Sequence, residues 1–207
     1  MSRYTGPKCR LCRREGEKLF LKGPRCQTEK CAFERRQTTP GLPPKKNVRR
    51  LSEYGIHLRE KQKVKRMYGL QERQFREYFE IAASKKGVTG ETLLQMLERR
   101  LDNLVYRIGL ASSRRMAREF ITHGHFLVNN HITNVPSFLV KKGDEIKLKE
   151  KSKKLTAIEE ALKGKQEIPL WLSFEPAEFR AVVKELPERK DAPQDIKENL
   201  IVELYSK

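Results

Sequence analysis

Four residues in the first 31 have types and spacing suited to chemistry. Cys9, Cys12, Cys26 and Cys31 are the only cysteines in 207 residues, arranged as C-x2-C, thirteen intervening residues, then C-x4-C. Two close thiolate pairs joined by a short loop can close a tetrahedron around one metal ion, and zinc is the expected cofactor. The second spacing is x4 in place of the commoner x2. The same ligands could hold an iron–sulfur cluster, and four free structural thiols are the plainer alternative. Free cysteines are normally buried, however, and this segment offers little apolar mass to bury them in. A metal would supply the folding energy that packing cannot. With four protein ligands and no open position, it would be structural.

A second group is basic. Arg114, Arg115 and Arg118 follow a serine pair on a short helical stretch, with Arg107 before it and His123 closing it. Lys141 and Lys142 lie in a later turn. Guanidiniums at a helix start suit phosphate through both charge and dipole. A solvated helix face is the alternative for any one of them, but only Glu119 balances the set. Enzymatic arrangements are missing from the sequence. It has no G-x-S-x-G elbow, no phosphate-cradling glycine loop and no H-E-x-x-H. His123 and His125 are two apart, too close for one helical face. Asp102, beside Arg99, Arg100 and Asn103, reads as an ion-pairing residue. No catalytic residue is expected.

The net charge explains why basic residues dominate. Lys and Arg outnumber Asp and Glu by 18, and residues 1–50 alone carry +11. Residues 51–100 carry +4, residues 101–150 carry +3, and the rest balances. So one-sided an excess calls for a polyanion partner. No segment pairs basic residues with an exposed apolar helix face, so no membrane partner is expected. The longest apolar run, Ile168 to Leu172, is far short of the roughly 20 residues that span a bilayer. The first residues, MSRYTGPKCRLC, hold no secretory signal. A cytoplasmic protein bound to nucleic acid is the expectation.

The elements that must position these groups follow from periodicity and breakers. Residues 1–37 form a basic four-cysteine extension. Residues 38–50 form a Pro-rich basic arm carrying Lys45, Lys46, Arg49 and Arg50. Ser52 caps a helix with Tyr54, Leu58, Val64 and Met67 inward, ending at Gly69. A second helix turns Phe75, Tyr78, Phe79 and Ala82 inward and stops at Gly87. A third is expected from Thr89 to about Ile108. Ser112 or Ser113 caps a short helix from Arg114 to about His123, with Met116, Ala117, Phe120 and Ile121 buried. A hairpin follows with an Asn129-Asn130 turn, then an extended stretch through Val140 and a strand over Glu145 to Lys149. Residues 152–163 read as helix and Pro169 to Phe174 as strand, while Asp195 to Tyr205 fits helix or strand by periodicity, with helix the preferred reading. Trp171 and Phe174 are expected in a core.

Residues 99–148 hold R-L-D-N, S-R-R-x-A-R, H-G-H-F-L-V-N and K-x-G-D. This stretch resembles the small RNA-binding module shared by ribosomal small-subunit protein four, certain pseudouridine synthases and bacterial tyrosyl-tRNA synthetases. The opening GPKCRLCRREG, the run RRLSEYGIHLREKQKVKRMYGLQERQFREYF and the end LPERKDAPQDIKENLIVELYSK resemble the bacterial-type ribosomal family over essentially the whole chain. The resemblance implies direct binding to a multi-helix junction in small-subunit ribosomal RNA early in assembly. It also implies a position near the mRNA entry path, beside small-subunit protein five, with effects on decoding accuracy.

The expected architecture is α+β: a metal-knotted extension (1–37), a linker arm (38–50), and a helical domain (51–98) completed by about 185–207. An RNA-binding module with a helix pair and a small antiparallel sheet (99–150) comes next, then a mixed C-terminal segment (151–207). The competing readings are an RNA-modifying enzyme carrying the module and a DNA-binding regulator. Against the latter, the exposed helix offers mostly Arg and few base-reading Asn or Gln.

Overall fold

The computed structural model describes residues 4–41, 51–164 and 168–206. The fold is mixed α and antiparallel β, and it divides into two compact units. One is Met1–Leu93 with Gln194–Lys207, and the other is Leu94–Pro193. Among the described residues, no helix is long and apolar enough to cross a membrane.

The first unit is helical. Helix α1 (Lys8–Glu15) and the short α2 (Ala32–Arg35) carry the cysteine segment. Helix α3 (Glu53–Met67) starts at Ser52, whose hydroxyl accepts the Gly55 N–H, as the sequence predicts. Helix α4 (Glu72–Ala83) buries Phe75, Tyr78, Phe79 and Ala82, one stripe at helical spacing. The Tyr205 ring of the C-terminal helix stacks on Phe79 at 4.5 Å.

The buried face of α3 differs from the one expected. Tyr54 is 64% exposed, while His57, Lys61, Lys63 and Val64 are buried. The charges there are paired. Lys63 Nζ lies 2.9 Å from Glu60 and 3.3 Å from Glu17, and donates to the Asp195 carbonyl at 2.8 Å. Burial alone would lower the Lys63 pKa, but these carboxylates outweigh it and raise it. Hydrophobic periodicity cannot register a face buried through ion pairs.

The second unit begins within α5 (Thr89–Glu98) and continues with α6 (Leu101–Arg107) and α7 (Arg114–Thr122). The single helix expected from Thr89 to Ile108 is broken at Arg99–Arg100. Arg100 is extended, with ψ 138°, and the chain pairs there with the stretch before Lys141. Val140 N–H donates to the Arg99 carbonyl at 3.0 Å, and Leu101 N–H to the Phe138 carbonyl at 2.9 Å. The buried Arg100 guanidinium grips Asp102 bidentately, Nε to Oδ1 at 3.0 Å and Nη2 to Oδ2 at 2.6 Å.

Five antiparallel strands follow, in the order β2-β1-β3-β5-β4. They are β1 (Phe126–Val128), β2 (His131–Ile132), β3 (Glu145–Leu148), β4 (Leu172–Glu175) and β5 (Arg180–Val183). Asn129 and Asn130 take φ of 50° and 65° between β1 and β2, the conformation a two-residue hairpin turn requires. The sheet thus draws two strands from residues beyond 150. Helix α8 (Thr156–Lys163) adds Ile158 to the core. That core joins Leu101, Leu104 and Val105 of α6 to Ala117 and Ile121 of α7. The sheet contributes Phe126, Ile146, Leu148 and Ala181, and Trp171 is also buried there. The chain closes with α9 (Glu198–Ser206), helical as expected, which packs on α3 in the first unit.

Candidate nucleic-acid interface

Helix α7 turns two faces in different directions. Arg115, Glu119 and Thr122 are exposed, at spacings of four and three. Ser113 caps the helix by accepting the Met116 N–H. Arg114 and Arg118 share the neighbouring face. Arg114 Nε donates to Asn103 Oδ1 at 2.7 Å, and its guanidinium lies 4.7 Å from the Tyr106 ring centroid on α6. Arg118 is only 9% exposed. The expectation that all three arginines line one open side is therefore corrected. The three positions span only about 100° of helical rotation, so packing against the rest of the unit, and not spacing along α7, is what covers Arg118.

Arg107 is also engaged within its unit. Its guanidinium donates to Glu98 Oε1 at 2.9 Å and Oε2 at 3.1 Å, and to the Asp191 carbonyl at 2.9 Å. The sequence reading missed Glu98, Asn103 and Tyr106 as partners of the basic residues. An asparagine at a buried α6 position was the one available signal, since a buried amide must find partners.

Beside α7 runs a groove of about 490 Å3 lined by Ser112, Arg115, Phe120, His123, His125 and Leu155 among others. His123 is exposed and forms the C-cap of α7. His125 packs edge-on against Phe120, and its Nδ1 lies 2.9 Å from Ser152 Oγ. Burial lowers the His125 pKa, with further lowering from His123 and Lys149, which favours the neutral ring. Lys141 and Lys142 are exposed in a turn held by Asp144, whose Oδ2 accepts the Lys141 N–H at 2.7 Å. Asn129 ties the hairpin to the same turn, donating to Asp144 and accepting from Glu145 N–H. That turn lies at the Val128 end of β1, whereas His123 precedes its Phe126 end. The structure therefore brings Arg115 and His123 to one groove and sets the lysine pair at the opposite end of the sheet. Lys45, Lys46, Arg49 and Arg50 lie outside the described residues.

The cysteines sit in the first unit. Cys9 and Cys12 lie on α1, Cys26 ends a 3-10 turn, and Cys31 precedes α2. Cys12, Cys26 and Cys31 are buried. Lys22 N–H donates to Cys26 Sγ at 3.3 Å. Burial pushes the Cys12 thiol pKa up, a backbone bond from Leu19 opposes it, and the other three cysteines push it further. Four cysteine sulfurs are soft donors, the type a soft dication takes once they are deprotonated. As they stand, no three His, Cys, Asp or Glu among the described residues are drawn together as a metal site. Glu15 anchors the segment from a buried position, paired with Arg59 and Arg66 of α3.

The family model for the ribosomal protein S4/S9 N-terminal domain matches residues 3–98, and that for the S4 domain matches residues 99–146. The small ribosomal subunit protein uS4 of Geobacter sp. (strain M21) is 56% identical over 209 residues, covering all of both chains. The uS4 protein of Acetivibrio thermocellus is 57% identical over 210 residues, again over all of both chains. That of Citrifermentans bemidjiense is 56% identical over the same extent. Matched from end to end by these relatives, the chain belongs to the ribosomal protein S4 family.

Proposed function

We propose that this chain is a constituent of the small ribosomal subunit that binds small-subunit ribosomal RNA directly and catalyses nothing. End-to-end similarity to proteins named for that subunit carries the reading. In it the protein grips a multi-helix junction early and nucleates assembly. It sits beside small-subunit protein five near the mRNA entry path, where it influences decoding accuracy. Arg114, Arg115 and His123 contact RNA from α7, Lys141 and Lys142 from the other end of the sheet, and Lys45, Lys46, Arg49 and Arg50 from the arm. Arg107 and Arg118 serve inside their unit. Cys9, Cys12, Cys26 and Cys31 hold one structural zinc, which neutralises the thiolates and fixes the extension.

Phosphate contacts spread over an arm and two ends of a sheet suit several backbones at once, as a folded junction presents them. The test is competition binding. A ribosomal RNA fragment that keeps its junction should outcompete duplex DNA of equal length by at least about a thousandfold at physiological salt. Equal competition by the duplex would overturn the reading.

A further inference from the structure

The motifs R-L-D-N (100–103) and S-R-R (113–115) meet through a single amide. Asn103 is fully buried, and its Nδ2 donates to Glu98 Oε2 at 2.7 Å and to the Glu98 carbonyl at 3.0 Å. Its Oδ1 accepts Arg114 Nε at 2.7 Å. The orientation of the amide is chemically determined. Flipping it would set a carbonyl against the Glu98 carboxylate and an NH2 against the guanidinium. Glu98 is itself fully buried and clamped by both donors of Arg107. A carboxylate, an amide and a guanidinium thus form a chain running from the interior of the unit to the start of α7.

We propose that Asn103 is a positioning residue for RNA binding, presenting the Arg114 guanidinium in one fixed plane. The proposal rests on the reading of Arg114 as an RNA contact. Two contacts restrain that plane: the Nε–H is committed to Asn103, and the guanidinium carbon lies 4.7 Å from the centroid of the Tyr106 ring beneath it. A guanidinium recognises phosphate through a rigid planar fork, so fixing its plane before contact avoids ordering it during binding. Only an amide of this length can donate to Glu98 and accept from Arg114 together. Aspartate would set two carboxylates side by side, and leucine has no acceptor.

The experiment titrates the full chain and its variants with small-subunit ribosomal RNA over a salt series, as a double-mutant cycle. Asn103→Ala should weaken binding about three- to tenfold and leave the salt slope unchanged, because no charge is removed. Arg114→Ala should lower the slope by about one. Adding Asn103→Ala to Arg114→Ala should then cost little more. If Asn103→Ala weakens binding by the same factor in both backgrounds, the residue is merely structural and the proposal fails, while Arg114 keeps its role. If Arg114→Ala binds like the parent, the RNA-contact reading of Arg114 and the proposal fall together. Should Asn103→Ala not fold, Tyr106→Leu run through the same cycle decides. In the unsubstituted chain, the Arg114 Nε–H should exchange slowly with solvent, and free exchange would overturn the proposal.

Discussion

Replacing Asp102 by Ala should unfold the second unit at much milder conditions than replacing the whole Arg100–Asp102 pair. Arg100 is 0% exposed and Asp102 2%, and two charge-assisted bonds of 3.0 and 2.6 Å join them. Removing the carboxylate takes from a desolvated guanidinium the charge it grips with two bonds, at a cost of about 3–5 kcal/mol. Substituting the pair as Arg100→Met with Asp102→Val removes both charges and nearly keeps volume, and should stay within about 1–2 kcal/mol of the parent. The chain holds a single tryptophan, Trp171, buried in this unit's core. Its fluorescence during urea unfolding therefore reports the unit concerned. At an m-value of about 1.5 kcal/mol/M, the single variant should lose about 2 M or more from the midpoint. A loss below about 1 kcal/mol for the single variant, or one no larger than for the pair, would refute the buried-charge argument.

Arg115→Ala should reduce the salt slope of RNA binding by about one with the melting temperature unchanged, whereas Arg118→Ala should lower thermal stability; reversed outcomes would return Arg118 to the open face. Purified protein should contain about one zinc per chain by elemental analysis, and chelation should loosen residues 4–41 in hydrogen exchange. Finding neither zinc nor iron, with that segment still protected, would remove the metal. Burial would raise the Glu72 pKa, but bonds from Lys61 and Lys65 outweigh it and hold it at about 2. A depressed carboxylate stabilises the fold above its unfolded pKa and loses that contribution as pH falls. Stability should therefore decline between about pH 5 and pH 2, by about 1 kcal/mol after allowing for solvent screening. Glu72→Gln should flatten that part of the profile, and an unchanged profile would count against the pairing.

Features set by local backbone chemistry were the ones legible in the sequence. Gly69, Gly109 and Gly124 end helices with φ of 67°, 84° and 70°, and Asn129-Asn130 makes the hairpin, because positive φ restricts residue choice. The apolar stripe of α4 was equally readable. Long-range pairing was not. The break between α5 and α6 depends on bonds to Phe138 and Val140, some 40 residues away, and nothing near Arg99 announces it. Strand β5 went unread for a similar reason, since Arg180–Val183 becomes a strand by lying between β3 and β4. At the interface, residue types pointed to the basic helix, but which arginine faces outward followed from Asn103 and Tyr106 on another helix.

The first unit is discontinuous in sequence, and this has a consequence for its birth. Tyr205, on α9, stacks on Phe79 and accepts the Lys61 cation over its ring. The aromatic packing on α4 therefore waits for α9. Translation at about 5–20 residues per second puts roughly 6–25 s between completion of α4 and of α9. Over that interval Leu94–Pro193 can complete its own core while the earlier residues still lack a partner helix. A stretch made earlier thus depends for its packing on a helix made more than 100 residues later.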